Sequence, residues 1–573
     1  MDEIKGHIRT WAEIDGMGGE DALTPAELQL RDAVVAGEFC KLGENVPPEL
    51  EPGQTPDPEV HIRAEVLRYF ILGGCEKYKS DPTGVWIQGA HVTGTLNIGF
   101  HKVPGAIDMS HCRFDQRIDM EQARVEMLDL SNCHLAGLYA PHLNSKGAVF
   151  LSDVTSTAEV ALNSAEIGGQ LDCEGAKFLA ETGNALNAQG VKTGADMFLR
   201  DVTAKATVNV NGAEIGGQLA CNGAKFLTET GDALDAQGIK TGQDVFLGSV
   251  TAKATVDVNG ADIGGQLSCN DAKFEAKEGF ALTALGMKTG QGLFWRGVTA
   301  PHAMIDFTDA HATMLVDDTE SWPGGGRIEL DGFTYDRIIG GATDAKTRLD
   351  WIAKGEKPGR FFPQPYTHLA KVLREMGHEW DSRAVLIGRE RRHNWHRRQR
   401  FRVALDGTVR AWLKSIWYDL RRFGAWTLDC AARLGAGYGY KPFRTLLVIA
   451  GLIGITWLFS AQAYNAGDFA PNSDIIQLSD DWVFLAATAP NPADAWSDET
   501  AAGRDWETFD PIIYAADVVI PIINFGQTEA WAPSTTRGPW GWHLWWFKSV
   551  MALAGWIVTA IGAAAITGII RRD

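Results

Sequence analysis

Residues 163–173 read NSAEIGGQLDC, and the pattern returns as NGAEIGGQLAC at residues 211–221 and as NGADIGGQLSC at residues 259–269. The offset is 48 residues each time. A second segment repeats with the same offset, as ALNAQGVKTG at residues 185–194 and ALDAQGIKTG at residues 233–242. A repeat this regular indicates a solenoid, in which each coil buries its apolar face only by stacking on its neighbours.

Cysteine occupies one position of three successive units, as Cys173, Cys221 and Cys269. If each unit is two coils about 4.8 Å apart, equivalent cysteines lie roughly 9–10 Å from each other. That separation exceeds the reach of a disulfide bond. We therefore expect these cysteines to be stacked core residues rather than part of a disulfide framework.

The solenoid is predicted to extend beyond the strict repeat. From residue 84 to residue 338, short alternating runs of apolar and polar residues recur between glycine-containing turns, which is typical of β-helix coils. These segments resemble pentapeptide-repeat and bactofilin-like β-helices. We predict a β-solenoid over residues 81–340, preceded by a helical cap over residues 1–80. Such a cap protects the exposed edge of the first coil.

Two helices are predicted in this cap. The first follows Thr24, a residue suited to capping a helix N-terminus, and the second covers residues 61–74, where apolar residues recur at helical spacing.

Length and charge limit the class of protein. At 573 residues the chain is too long for one hydrophobic core, so several domains are expected. The formal net charge is −19 at pH 7, which argues against a nucleic-acid partner for the whole protein. Many of the 63 glycines fall at fixed repeat positions, as a solenoid with tight corners requires.

Residues 344–440 are predicted to form a helical adaptor that ends in a basic juxtamembrane region. This region contains RERRHNWHRRQRFR at residues 389–402. Basic residues interleaved with aromatic ones can bind nucleic acid, form a collar against anionic lipid, or cover a solvated helix. Because apolar segments follow, we favour the membrane-surface collar. Its candidate residues are Arg391, Arg392, Arg397, Arg398 and Arg400.

Residues 441–573 are predicted to form a membrane module with two spans, at about residues 445–463 and 545–570. Basic residues precede the first span and follow the second, whereas the residues between them are acidic. The flanking residues are Lys441, Arg444, Arg571 and Arg572. The positive-inside rule then places the N- and C-termini, and the solenoid, in the cytoplasm. We predict a multi-pass protein of the bacterial inner membrane.

Between the spans, residues 511–526 are apolar but too short to cross a bilayer, which is typical of a re-entrant segment. Asp517 lies in its middle, and an ionisable residue at membrane depth is a functional candidate. The order of span, short helix, glycine-containing turn and span resembles the two-span pore domain of potassium-type channels. Where those channels read TVGYG, this chain reads IINFGQ at residues 522–527, so potassium selectivity is not predicted. The candidate pore or re-entrant turn consists of Asp517, Asn524, Phe525, Gly526 and Gln527.

The last span carries small residues at the spacing of a helix that packs closely on copies of itself. We therefore expect a homo-oligomer formed through the spans. A conducting pore and a packing or signalling hairpin are both compatible with this sequence.

Across most of its length the chain resembles bacterial membrane-anchored, pentapeptide-repeat-like proteins that are often labelled membrane-associated oxidoreductases. The resemblance rests on IRAEVLRY at residues 62–69, the solenoid, PQPYTHLAKVLREMGH at residues 363–378, and a Gly-Gln turn before the last span. The label implies redox chemistry. However, no G-x-G-x-x-G opens a helix after a strand and no C-x-x-C occurs. We predict no catalytic residue, no cofactor site and no metal site.

These features favour a non-enzymatic function. We expect an integral membrane protein whose cytoplasmic β-solenoid is a scaffold or sensor coupled to the channel-like two-span module. Its expected partners are the lipid bilayer, further copies of the chain, and a protein on the solenoid surface. A membrane-associated oxidoreductase is the alternative that the family resemblance implies.

Overall fold

The structure, a computed structural model, describes three parts of the chain. They are residues 22–399 except 52, 358 and 359; residues 423, 424, 426 and 430; and residues 443–566 except 521. The side chains of residues 397–399, 565 and 566 lie outside this description. Tertiary contacts divide the chain into two compact units, one ending at Val385 and the other beginning at Leu386.

The first unit contains a parallel β-solenoid of about 12 turns, as the 48-residue repeat predicts. In the described residues, each regular coil passes through four short strands, which pair in parallel with their counterparts in neighbouring coils. We number the resulting ladders face 1 to face 4, in the order in which the chain passes through them. The architecture is compatible with a pentapeptide-repeat-like fold.

Faces 1 and 2 are separate parallel sheets, each 10-stranded in the part of the chain that is described. The strands of face 1 are His61–Arg63, His91–Thr93, Arg113–Phe114, His134–Leu135, Thr155–Ser156, Lys177–Phe178, Thr203–Ala204, Lys225–Phe226, Thr251–Ala252 and Lys273–Phe274. Those of face 2 are Ile118–Asp119, Leu138–Tyr139, Val160–Ala161, Asn184–Asn187, Thr207–Asn209, Asp232–Asp235, Thr255–Asp257, Phe280–Thr283, Met304–Asp306 and Ile328–Glu329.

Faces 3 and 4 join into one sheet, because the last three strands run through both faces without a corner. The short strands of face 3 are Arg124–Val125, Asn144–Ser145, Glu166–Ile167, Lys192–Thr193, Glu214–Ile215, Lys240–Thr241 and Asp262–Ile263. The strands of face 4 are Cys40–Lys41, Gly84–Gln88, Ala106–Ser110, Leu128–Asp129, Val149–Phe150, Leu171–Asp172, Met197–Phe198, Leu219–Ala220, Val245–Phe246 and Leu267–Ser268. The three long strands are Lys288–Trp295, His311–Asp317 and Thr334–Ile338.

Coil length alternates within the strict repeat. Asp196 and Gln218 meet across two coils and are 22 residues apart. Glu174 and Arg200 meet across the preceding pair of coils and are 26 residues apart. One long coil and one short coil together give the 48-residue offset, so the expectation of two coils per repeat is confirmed.

The interior of face 1 alternates large and small side chains from coil to coil. The column consists of Phe178, Ala204, Phe226, Ala252 and Phe274, all with 0% exposure. Alternating sizes let neighbouring layers interdigitate without voids. Because each repeat supplies one large and one small residue, a single coil cannot serve as the repeating unit.

The three repeat cysteines lie in another interior column. Cys173, Cys221 and Cys269 are fully buried free thiols. Leu199 and Leu247, both fully buried, occupy the intervening coils. The predicted column of stacked core residues is therefore confirmed.

A ladder of glycines forms the corner between faces 3 and 4. A Cβ atom at Gly194 would lie 2.2 Å from the carbonyl oxygen of Gly168, and one at Gly216 would lie 2.5 Å from that of Gly194. Neither distance leaves room for a side chain, because each coil lies directly on the previous one. This contact explains why the repeats place glycine directly after Ile, as in Gly168 and Gly216, and directly after Lys-Thr, as in Gly194.

Helices lie at both ends of the solenoid. They are α1 (Pro25–Ala36), α2 (Ala64–Ile71), α3 (Ala345–Ala353), α4 (Gln364–Glu375) and α5 (Glu379–Gln399), the last of which runs on past the boundary between the units.

Helices α1 and α2 pack on the first coils. Thr24 caps α1 through a capping box with Glu27, whose fully buried carboxylate also pairs with Arg63 at 2.6 Å. The prediction of a helix over residues 61–74 was wrong at its start. His61–Arg63 is a strand that extends face 1, and its partner is His91–Thr93.

Helices α3 and α4 close the other end of the solenoid. On the last strand, the Tyr335 N–H donates to His368 Nε2 at 2.8 Å and the Ile338 N–H donates to Met376 Sδ at 3.4 Å. Side chains of α4 and its C-cap residue thus accept hydrogen bonds from N–H groups at the edge of the last strand. That edge would otherwise be open to pairing with another strand. The sequence places these helices in an adaptor, and in the structure they belong to the same compact unit as the solenoid.

A buried ion pair fixes α3 to the last coils. Arg348 and Asp317 are both 0% exposed, and Arg348 donates to the two carboxylate oxygens at 2.7 and 2.8 Å. The Trp322 indole N–H donates to the same carboxylate at 2.8 Å, and Arg348 Nε donates to the Ala342 carbonyl at 2.6 Å. Such complete hydrogen bonding is what a buried charge pair needs to offset its desolvation.

The second unit contains two long helices, α6 (Phe443–Asn465) and α13 (Pro539–Ile566), joined by shorter elements. These are α7 (Asp474–Gln477), α8 (Asp480–Thr488), α9 (Pro492–Glu499), α10 (Ala501–Arg504), α11 (Pro511–Val519) and α12 (Gln527–Ala530), with an antiparallel pair of strands, Phe469–Pro471 and Trp531–Pro533. Helix α11 packs against both long helices, which also pack against each other.

Candidate functional site

The candidate site is the turn between α11 and α12, and it depends on how α11 is held. Asp510 caps α11 by accepting hydrogen bonds from the backbone N–H groups of Ile512 and Ile513. The Ser460 hydroxyl of α6 donates to the carbonyl of Pro511 at 3.2 Å. These contacts fix the N-terminal end of the short helix.

The other end of α11 lies against a glycine of α13. A Cβ atom at Gly555 would lie 2.0 Å from the carbonyl oxygen of Val519. Further along α13, a Cβ at Gly562 would lie 2.7 Å from the Thr445 side chain. Small residues that the sequence assigns to packing between copies therefore make close contacts within this chain.

An aromatic core supports the site from the other side. Phe469, Tyr514 and Trp531 are 0% exposed, and Phe509 lies among them with its ring centroid 4.6 Å from that of Phe469. The segment between the long helices is therefore a folded structure, and its aromatic residues share a buried core with Ala463 of α6 and Leu544 of α13.

Asp517 stabilises the turn itself through hydrogen bonds. Its carboxylate accepts hydrogen bonds from the Phe525 N–H at 2.9 Å, the Thr528 N–H at 2.7 Å and the Thr528 hydroxyl at 2.8 Å. A carboxylate with three such donors is a positioning group for the surrounding backbone. The sequence singles out Asp517 as a functional candidate, but it does not show that the side chain is directed into its own turn.

The remaining predicted residues complete this turn. Gly526 has a φ of 82°, a left-handed conformation that suits glycine, and its N–H donates to Asn524 Oδ1 at 2.8 Å. Gln527 is 1% exposed; its side chain accepts from the Asp510 N–H and donates to the Thr508 carbonyl. The turn is thus tied directly to the N-cap of α11.

The outer surface of the turn is apolar. Ile522, Ile523 and Phe525 are 74%, 50% and 41% exposed. Because Asp517 and Gln527 are occupied by internal hydrogen bonds, the turn presents mainly hydrocarbon and backbone to its surroundings. The structure brings all five predicted pore residues together in one small element.

Sequence reasoning missed a second polar cluster near this site. Arg537 donates to the carbonyls of Gly467 and Phe469 at 3.1 and 2.9 Å, and Asp468, only 3% exposed, accepts from the Gly541 N–H at 2.9 Å. Burial lowers the pKa of Arg537, and the nearby Asp468 opposes that shift. This cluster ties the end of α6 to the start of α13. Its signal in the sequence is the single arginine in the otherwise uncharged residues 530–542 that lead into the last helix.

The basic collar is described in part. Arg391 and Arg392 are exposed on α5. The side chains of Arg397 and Arg398, and the whole of Arg400, lie outside the described residues. The collar therefore stays a prediction.

The described residues also include histidines, cysteines and carboxylates outside this turn. Among them, no group of three or more His, Cys, Asp or Glu side chains is arranged to hold a metal ion. Burial raises the pKa of the Cys221 thiol to about 12 and shifts Cys173 and Cys269 in the same direction. These thiols remain protonated and unreactive near neutral pH.

Comparisons with known proteins found no matching family profile, no matching curated protein and no matching solved structure.

Proposed function

We propose that this chain is an integral membrane protein in which α6 and α13 span a bilayer and the β-solenoid serves as a scaffold. One observation carries the proposal. Both helices are long and apolar, and only 17% and 11% of their most apolar windows are buried within the chain. Leu446, Leu553 and Trp556 are 70%, 63% and 59% exposed. The core helix of a soluble protein would bury such residues, whereas a spanning helix exposes them to lipid.

The surroundings of α13 support the same assignment. Trp540, Trp542, Trp545 and Trp546 cluster at its N-terminal end and are 37–55% exposed. Partly exposed tryptophans at the end of a span are typical of the membrane–water interface. The folded segment between the helices would then lie at that side of the bilayer.

The orientation of the chain in the membrane is inferred from the charged residues that flank the two spans. Arg444 lies at the start of α6, and the other flanking basic residues, Lys441, Arg571 and Arg572, lie outside the described residues. With the acidic segment between the spans, this distribution favours cytoplasmic termini and a cytoplasmic solenoid in a bacterial inner membrane. The solenoid offers rigid, regularly repeated surfaces, which suits a scaffold or a sensor.

An amine-reactive biotin reagent that does not cross membranes tests the orientation. We expect labelling of the exposed solenoid lysines, such as Lys225 and Lys277, in inverted vesicles and not in intact spheroplasts. Solenoid labelling in intact spheroplasts would place the solenoid on the opposite side and overturn this part of the proposal.

The turn after α11 gives the second part of the proposal, a channel-like module. A short helix capped by Asp510, held between two long helices and followed by an exposed glycine turn, has the order of elements of a two-span pore. The exposed apolar turn would face the equivalent turns of other copies. In this arrangement Asp517 shapes the turn and does not contact the permeating ion.

Ion flux from liposomes that contain the full chain tests this part. We expect measurable flux from the wild type and a loss of at least tenfold in Asp517→Asn, because the substituted amide holds the turn less well. Asp505→Asn removes an exposed carboxylate from the same segment and serves as the matched control, with flux unchanged. Absence of flux in the wild type, or equal flux in all three proteins, would contradict a conducting module.

A further inference from the structure

The faces of the solenoid differ in charge. On face 3, acidic and basic residues alternate at the outward positions. Glu214 lies 3.2 Å from Lys192 and 3.8 Å from Lys240, on the coils before and after it. The charges of face 3 are therefore largely compensated within the chain.

Face 1 carries a line of positive charge along the strict repeat. Its outward positions on successive coils are Lys177, Thr203, Lys225, Thr251 and Lys273. The three lysines are exposed, and no acidic residue occupies an outward position of this ladder among the residues described. Because coils lie about 4.8 Å apart, the lysines are spaced roughly 10 Å apart over about 19 Å.

Face 2 carries the opposite charge over a similar length. Its outward positions on successive coils are Asp235, Asp257, Thr283, Asp306 and Glu329. In the described part of the chain no basic residue occupies an outward position of this ladder. The pKa values of Asp232 and Asp257 are raised, first by partial burial and then by the neighbouring carboxylates. Glu329, at the end of this ladder, pairs with Lys357, whereas in the described residues no ion pair joins Asp235, Asp257 or Asp306 to a basic side chain.

We propose that face 1 of one copy docks on face 2 of a second copy, side by side. The occupant is a second copy because the chain itself provides both complementary surfaces, with the same coil spacing on each. A rigid ladder of charges at fixed spacing selects a partner with the same period, and another solenoid of this sequence has that period.

The coil positions show which side chains meet when two copies stand side by side at equal height. Lys225 and Asp235 lie on the same coil, and Asp257 lies on the next. Two copies with parallel axes at equal height therefore bring Lys225 of one copy beside Asp235 and Asp257 of the other. Lys273 of the first copy then lies between Asp257 and Asp306 of the second, within reach of a long side chain.

The contact joins two unlike faces, so a pair keeps a free face 2 on one copy and a free face 1 on the other. Such a heterologous contact forms a closed ring if the rotation between copies permits it, and otherwise continues to add copies as an open filament. A contact made by the spans would not depend on these charges, and this difference can be measured.

The test uses the full chain in detergent and measures its mass by light scattering. One variant carries Lys225→Glu and Lys273→Glu, and the other carries Asp235→Lys and Asp257→Lys. We expect the wild type to assemble beyond a dimer and each variant to lose this assembly. In each variant, the dissociation constant of the contact between face 1 and face 2 should rise on the order of a hundredfold or more, because like charges then face each other. An equimolar mixture of the two variants should regain assembly beyond a dimer, because each face of one variant is then opposite in charge to the face of the other variant that it meets.

A third variant, Lys240→Glu with Lys288→Glu, makes the same charge change on face 3 and should keep the wild-type mass. Circular dichroism checks that each variant retains its β-structure.

As a test without variants, carbodiimide coupling of a mixture of ¹⁵N-labelled and unlabelled wild type should join Lys225 of one copy to Asp235 or Asp257 of another. A monomeric wild type, wild-type assembly in both charge-reversed variants, or lysine–carboxylate links confined to single copies would each overturn the proposal.

Discussion

The two units place the same kinds of residue in opposite environments. In the solenoid, Leu219 and Phe226 are 0% exposed and lysines and carboxylates cover the outside. In the second unit, Leu446 on α6 is 70% exposed, whereas Gln527 and Asp468 are almost fully buried. The proposed placement of one unit in water and the other in lipid accounts for this difference, because each unit then hides the groups that its surroundings solvate poorly. The following experiments test this contrast, beginning with the largest expected effect.

The repeat cysteines test how completely the solenoid excludes solvent. Since burial raises the pKa of Cys221 to about 12, its thiolate fraction at pH 8 is on the order of 10⁻⁴. We expect N-ethylmaleimide to modify the partly exposed Cys75 within minutes and to leave Cys173, Cys221 and Cys269 unmodified. Mass spectrometry of peptides measures this. Labelling of all four cysteines at similar rates would show that the coils are not closely packed.

The ion pair between Arg348 and Asp317 tests the closure of the solenoid. Asp317→Asn leaves a buried guanidinium without its counter-charge, and it should lower the free energy of unfolding by roughly 3–5 kcal/mol. Guanidinium chloride titration followed by the β-sheet signal measures this change. Asp350→Asn removes an exposed carboxylate from α3, the helix that carries Arg348. It should change the free energy of unfolding by no more than about 0.5 kcal/mol. Equal effects of both substitutions would contradict the account.

A matched pair of apolar residues tests the contrast between the units directly. Leu285 on the solenoid and Ile455 on α6 are 48% and 47% exposed. Ile455→Arg should disfavour membrane insertion by roughly 2.5–3.5 kcal/mol, whereas Leu285→Arg should have almost no effect, because its surroundings are water. The measurement is the fraction of chain recovered in the membrane. If both variants behave alike, the environments of the two residues do not differ.

The cap of α1 tests the start of the solenoid unit. Thr24→Ala removes the capping hydroxyl opposite Glu27 and should cost about 1 kcal/mol. Thr24→Ser keeps the hydroxyl and should recover most of this stability. Chemical denaturation of the three proteins measures the difference, and a Thr24→Ser variant as unstable as Thr24→Ala would exclude a capping role.

The smallest expected effect concerns pH. Burial, and then the nearby Asp129, raise the pKa of Asp108 to about 6. The folded state therefore binds more protons than the unfolded state between about pH 4 and pH 6, and the resulting stability is lost as pH rises through about 6. Asp108→Asn should stabilise the solenoid at pH 8 relative to the wild type, by no more than about 1 kcal/mol because the group is partly exposed. At pH 4 the two proteins should be equally stable, and an advantage for the variant at pH 4 would contradict the assigned sign.

The sequence predicts the solenoid well because its information is periodic. Columns such as that of Cys173, Cys221 and Cys269 repeat one local environment, so spacing alone identifies inward positions. The closure of the solenoid by α3 and α4 is not periodic. It depends on contacts such as that between Asp317 and Arg348, which are 31 residues apart and carry no recognisable motif.

The candidate site could be predicted from the sequence only in part. Its glycine turn and the short apolar helix before it are visible in the sequence. The direction of the Asp517 side chain is not, because a carboxylate in an apolar segment can serve either a solvent-filled pathway or its own backbone. Only the positions of the Phe525 and Thr528 N–H groups distinguish these roles.

Alkaline carbonate extraction of membranes that contain the full chain tests the central claim most directly. If α6 and α13 span the bilayer, the chain stays with the membrane pellet at about pH 11 and is released only by detergent. Recovery of intact chain in the carbonate supernatant would show that the two helices do not cross the membrane, and it would contradict the proposed function.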